Sequence, residues 1–206
     1  MDPEIKRKLI HSFGFIALAY YFVPAEWQTE IALITVAGVL IFEGVRIKFQ
    51  LNIKMFREYE KHTLSGFGWC SLGLLFSFLL FPMWITVPVV IAWAWMDPFM
   101  GYYRKKDWMI PVTLVLYSTI FAFFAYVLYI YGYGPFSVET LFVAFVVAGA
   151  GVWSEMLGKR DGLRWLNDDF TMTLFPSFTY FILAYLAGMD PGFLAGAHAL
   201  TGALWL

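Results

Sequence analysis

Apolar residues in this chain run in long blocks rather than recurring every three or four positions. The blocks lie near 9–23, 27–45, 64–81, 83–100, 108–131, 137–157 and 171–187. Most approach the ~20 residues that a helix needs to cross ~30 Å of hydrocarbon. The first is short and is expected to borrow length from residues 4–8. An apolar tail at 193–206 is expected to form at most a partial or re-entrant eighth segment. Turns are marked by Pro24, by Pro82 and by Gly132-Tyr133-Gly134-Pro135. Trp27, Trp84, Trp108 and Trp205 lie near block ends, where interfacial anchors belong. The pattern predicts an all-α, polytopic transmembrane helical bundle of about seven spans, with residues 1–206 as one membrane domain.

One stretch departs from the block pattern. Residues 45–55 alternate strictly between apolar and polar, which in isolation reads as a strand. A lone strand at a membrane surface would leave its edges unpaired. A helical extension, or an interfacial segment whose long basic side chains reach toward headgroups, is the preferred reading. No internal repeat and no low-complexity tract is visible.

Composition supports the membrane reading. Hydrophobic residues make up 61% of the 206 positions and charged residues 14%; soluble domains carry roughly 25% charged residues. The net charge of -1 offers no basic footprint for nucleic acid, which is not an expected partner. The single cysteine, Cys70, lies in an apolar run and reads as a buried thiol. Lys6-Arg7-Lys8 precedes the first apolar block, but no small-residue cleavage site follows, so that block is expected to stay as an anchor.

The distribution of charge sets an orientation. All 14 Lys and Arg fall before the first block, between the second and third, between the fourth and fifth, or between the sixth and seventh. The intervening connections hold Glu26, Glu30, Glu139 and Asp190 instead. The positive-inside rule then predicts a cytoplasmic N-terminus, with the basic loops on the same side.

Acidic residues at span ends carry the candidate chemistry. Asp97 ends the fourth block, Glu155 lies near the end of the sixth, and Asp168 and Asp169 precede the seventh. His11 lies one turn inside the first. Each has a plain structural explanation. Asp168 and Asp169 suit helix caps, Asp97 before Pro98 suits a helix break, Glu155 suits a pair with Lys159, and His11 suits a core position. Together, carboxylates are costly at a hydrocarbon boundary and usually face a cavity or a partner. Four of them on one predicted side suit one or two Mg2+ ions, which bind through few carboxylates plus phosphate oxygens.

Several motifs follow one another in a familiar order. Arg7-Lys8-Leu9-Ile10-His11, then Glu43 and Arg46, then Arg57, Glu60 and Ser65-Gly66, precede Asp97 through Gly101 and Arg104. Glu155 and then Asp168-Asp169-Phe170-Thr171-Met172-Thr173-Leu174 complete the series. This order resembles the dolichol kinase and phytol kinase family, which also includes CTP-dependent diacylglycerol kinases. The resemblance covers roughly residues 5–175. Met96, Asp169 and Thr173 stand where the family has Gly, Asn and Pro. Its K-[ST]-x-E-G stretch is not recognisable in residues 105–119.

The resemblance implies phosphoryl transfer from CTP to a long-chain lipid alcohol of dolichol, polyprenol or phytol type, at the cytoplasmic face. Asp97 and Asp168 would hold Mg2+ on the phosphates, with Asp169 and Glu155 beside them. Arg7, Lys8, Arg104 and Lys105 would neutralise phosphate oxygens, and Gly101 and Thr171 belong to the nucleotide-side motifs. Asp168, Glu155 and His11 are the candidate bases. The competing readings are a transporter, a CDP-lipid synthase and a catalytically inactive relative. A transporter places its acids nearer the bilayer midplane.

Overall fold

The computed structural model describes residues 12–51, 53, 56, 58–104, 108–157 and 167–187; for 58, 59 and 101–104 it describes the backbone only. The described residues form six α-helices and two 3-10 helices and contain no strand. The helices are α1 (Ala25–Lys48), α2 (Gly66–Leu80), α3 (Met83–Arg104), α4 (Met109–Ile130), α5 (Val138–Leu157) and α6 (Asp168–Leu186). The 3-10 helices are Gly14–Phe22, before α1, and Glu58–His62, before α2. Arg7, Lys8, His11, Lys105 and the apolar tail lie outside the described residues.

Among the described residues, three helices are long and apolar enough to cross a membrane: α4, α5 and the Met83–Met100 portion of α3. The shorter α2 is apolar as well. Ile34, Ile41, Val115, Phe123, Phe142, Phe145 and Ile182 are all exposed on the outside of the bundle. Exposed apolar side chains in this number belong against lipid rather than water. The molecule is an all-helical membrane bundle.

The element boundaries follow local chemistry. Pro24 opens α1, where its missing N–H costs nothing. Ser65 caps α2, its hydroxyl accepting the Gly68 N–H at 3.3 Å. Gly132 and Gly134, at φ 80° and 107°, turn the chain from α4 into α5. The alternating stretch begins as the preferred helical extension: α1 runs through Lys48 and ends at Phe49, after which Gln50 takes φ 49°. The segment Gly14–Phe22 is 3-10 rather than α-helical. Its rise of ~2.0 Å per residue covers more depth than an α-helix of the same length, which suits a short segment.

At the centre is α3, buried on every side from Pro88 to Ala94. Ile85, Val89, Trp93, Met96 and Met100 pack with Tyr117 and Phe121 of α4, Ala144 and Val147 of α5, and Met172 and Tyr180 of α6. Trp27 and Trp108 are exposed at helix starts, as anchors should be. Trp84 instead packs edge-on against Tyr180, with ring centroids 5.2 Å apart.

Candidate active site

The start of α6 is capped by Asn167, whose side chain accepts the Asp169 N–H at 2.8 Å. Asp168 and Asp169 therefore occupy the first turn without being the cap residue, a position the helix dipole favours. Asp169 is buried, and its Oδ2 lies directly against the bare Cα of Gly66 at the start of α2. Asp168, on the same turn, is half-buried. Thr171 donates toward the carbonyls of Asp168, Asn167 and Ser154, at 3.2, 3.3 and 3.4 Å, and so ties α6 to α5. Its hydroxyl is engaged with backbone. Glu155, next to Ser154 on the last turn of α5, is buried.

Asp97 lies inside α3, which continues through Pro98 to Arg104. The helix does not end at the proline. Pro98 has no N–H to give, which deprives the Ala94 carbonyl of its helical partner one turn from Asp97. Met96 and Met100, on either side of Asp97, belong to the same core cluster as Met172 of α6, so Asp97 lies toward the end of the bundle where α6 begins. Gly101 and Arg104 continue α3 at this end.

A second ionic group stands beside Asp169. Arg46, on the last turns of α1, is buried and pairs with buried Glu43 at 2.7 Å. The Arg46 guanidinium also donates to the carbonyls of Glu60 and Thr63, each at 2.7 Å, and lies over the Phe56 ring at 4.7 Å. Glu43 accepts from Ser65 twice, from its N–H at 2.9 Å and its hydroxyl at 2.7 Å. Glu60, also buried, accepts the Gly66 N–H at 3.1 Å. Burying these charges is costly, and this density of short, charge-assisted hydrogen bonds offsets it. Sequence reasoning singled out Glu43, Arg46, Glu60 and Ser65-Gly66 only as motif residues and gave them no role. A Glu and an Arg three residues apart in an apolar helix are themselves a signal, because charges there demand partners.

Among the described residues, no three His, Cys, Asp or Glu side chains converge closely enough to hold a metal by themselves. The expected quartet of Asp97, Glu155, Asp168 and Asp169 does not form a closed protein cage. The donor chemistry still fits Mg2+, which prefers hard oxygens and takes most of its ligands from water and phosphate.

The chain is similar to CTP-dependent diacylglycerol kinases. Against CTP-dependent diacylglycerol kinase 1 of Eremothecium gossypii it is 28% identical over 46% of this chain and 33% of that protein. Against the enzyme of the same name from Saccharomyces cerevisiae it is 29% identical, over 46% of this chain and 36% of that protein. The chain spans about a third of the length of these curated relatives. Neither relative carries the name of a dolichol or phytol kinase. No protein-family model matches the chain, and no solved structure matches it.

Proposed function

We propose that this protein is a CTP-dependent lipid kinase, working at the membrane face where Asp97 and Glu155, in the last turns of α3 and α5, and Asp168 and Asp169, in the first turn of α6, are placed. The observation that carries the reading is the meeting of α2, α5 and α6 at one end of the bundle, where Asp169 lies against Gly66 and Thr171 bonds the Ser154 carbonyl beside Glu155. Similarity to kinases named for CTP and diacylglycerol supports the donor and the acceptor class.

In this reading the hydroxyl oxygen of a lipid alcohol forms a bond to the γ-phosphorus of CTP. The bond from that phosphorus to the bridging oxygen breaks, and CDP leaves. Asp97, Asp168 and Asp169 would hold Mg2+, which supplies charge neutralisation on the phosphates. Arg7, Lys8, Arg104 and Lys105 would balance the remaining phosphate charge. The hydroxyl proton passes to a carboxylate, Asp168 or Glu155, or to His11. Transfers of this kind depend mainly on positioning and electrostatics. The acceptor is a lipid with one free hydroxyl, diacylglycerol or an isoprenoid alcohol. By the positive-inside rule the site faces the cytoplasm. The unrecognisable K-[ST]-x-E-G stretch favours one second reading, a nucleotide-binding relative without turnover.

The test is purified protein with labelled CTP, ATP as the comparison, and a panel of diacylglycerol, polyprenol and phytol. Wild type is expected to phosphorylate at least one lipid with CTP. Asp97→Asn and Asp168→Asn are each expected to lose ~10³-fold or more while remaining folded in the membrane, because the amide keeps the shape and loses the charge. Near-normal turnover in both variants would remove these residues from the site. A wild type that binds CTP without turnover would support the inactive relative.

A further inference from the structure

Behind the Asp169 carboxylate lies a network that phosphoryl transfer itself leaves unused. Glu43 commits both oxygens to Ser65, and the same Ser65 hydroxyl accepts the Gly68 N–H. Glu60 takes the Gly66 N–H. The Gly66 and Gly68 N–H groups at the start of α2 are therefore taken by side chains of this network. What these bonds do is fix the backbone of Gly66. Arg46 holds the arrangement from the other side, by pairing with Glu43 and gripping the carbonyls of Glu60 and Thr63.

Gly66 is where this frame meets Asp169. A Cβ at Gly66 would overlap Asp169 Oδ2 and come within 3.7 Å of Glu60 Oε1. The carboxylate rests on bare backbone, so the place of that backbone sets the place of the carboxylate. The geometry points to Gly66, and the Glu43–Arg46 pair and Ser65 behind it, as positioning residues for the Asp169 carboxylate. For what Asp169 then does, the inference rests on the lipid-kinase reading. Groups that hold a metal-nucleotide tolerate little displacement: a shift of ~1 Å costs on the order of 100-fold in well-aligned reactions.

Mn2+ serves as the probe, because its binding with CTP to the full chain in detergent is read by paramagnetic resonance without turnover. Gly66→Ala is expected to weaken Mn2+–CTP binding on the order of 10-fold by moving Asp169. Asp169→Asn weakens it by itself, and the double variant is expected to lose nothing more. Where turnover is measured, the KM for CTP rises and the KM for the lipid stays constant. Ser65→Ala, which removes one of the two Glu43 anchors without crowding Asp169, is expected to shift binding in the same direction, again only while Asp169 is present. It carries the test if Gly66→Ala does not fold. A role confined to folding would lower the yield of protein and leave the affinity of the folded fraction unchanged.

The inference is overturned if the losses multiply in the double variants, or if Gly66→Ala and Ser65→Ala bind as wild type does. Failure of the kinase reading is separate. Wild type that binds Mn2+–CTP without transferring phosphate sinks that reading, and the double variants still decide the positioning claim. Wild type that binds no nucleotide overturns both.

Discussion

Where α1 hands over to α2, one guanidinium makes three contacts of 2.7 Å and every charged partner is buried. At the opposite end of the bundle the charged residues Glu26, Glu30 and Glu139 are all exposed. Rings do the work there instead. Tyr20 stacks on Phe78 at 4.5 Å, Phe81 meets Phe178 edge-on at 4.9 Å, and Tyr180 touches both Trp84 and Phe121. The two ends differ in how they respond to error. Short bonds to a charge are directional, and losing one partner strands the other in a low dielectric. Aromatic packing is spread over area, so each contact is worth less and a lost contact leaves no orphan. A site that must hold atoms in register is better built on the first kind of end.

The sharpest way to break this comparison is to remove the guanidinium. Arg46→Ala leaves Glu43 buried without its cation and is expected to cost ~3–5 kcal/mol. Exchanging both partners for apolar residues, Arg46→Met with Glu43→Leu, is expected to recover most of that loss. Reversible unfolding in mixed micelles measures both. An Arg46→Ala loss below ~1 kcal/mol would mean the charged end is no more brittle than the aromatic one.

A smaller effect is expected at the other end from its tightest turn. Gly134 has φ 107°, and a Cβ there would overlap Trp84. Gly134→Ala is expected to destabilise by ~1–3 kcal/mol, through backbone strain together with the displaced indole. An unchanged unfolding midpoint would show that the turn yields freely.

The smallest expected effect is the coupling of one ring pair. A double-mutant cycle on Trp84→Leu and Tyr180→Leu is expected to give ~0.5–1.5 kcal/mol. A coupling of several kcal/mol would erase the distinction between a directional end and a diffuse one.

The helices were legible in the sequence because an apolar run is a local property. The blocks at 83–100, 108–131 and 137–157 lie close to Met83–Arg104, Met109–Ile130 and Val138–Leu157. Local chemistry also misled. The plain alternative for Asp168 and Asp169 was a pair of caps, yet Asn167, one residue earlier, takes that part. The plain alternative for Asp97-Pro98 was a break, yet the helix runs on through Pro98 to Arg104, with Met96 and Met100 packed in the core. Charge placement at the span ends drew attention to Asp97, Glu155, Asp168 and Asp169. Which of them approach one another was not legible, because the meeting of Asp169 with Gly66, like that of Glu43 with Ser65, joins distant parts of the chain. Gly66 was visible only as part of the Ser65-Gly66 motif, and its role was not legible, since a glycine's contribution there is the atoms it lacks.

The same absence recurs two turns along. Gly73 lies seven residues beyond Gly66, on the same face of α2, and a Cβ there would overlap Thr173 Oγ1 and press on the Phe170 backbone at 3.2 Å. The seam between α2 and α6 is thus written in two hydrogens. For anyone mutating this protein, that seam sets a sharp boundary on permissible variation. The outer faces will accept almost any apolar substitution, while a side chain at either of these two positions must displace the α6 group it meets.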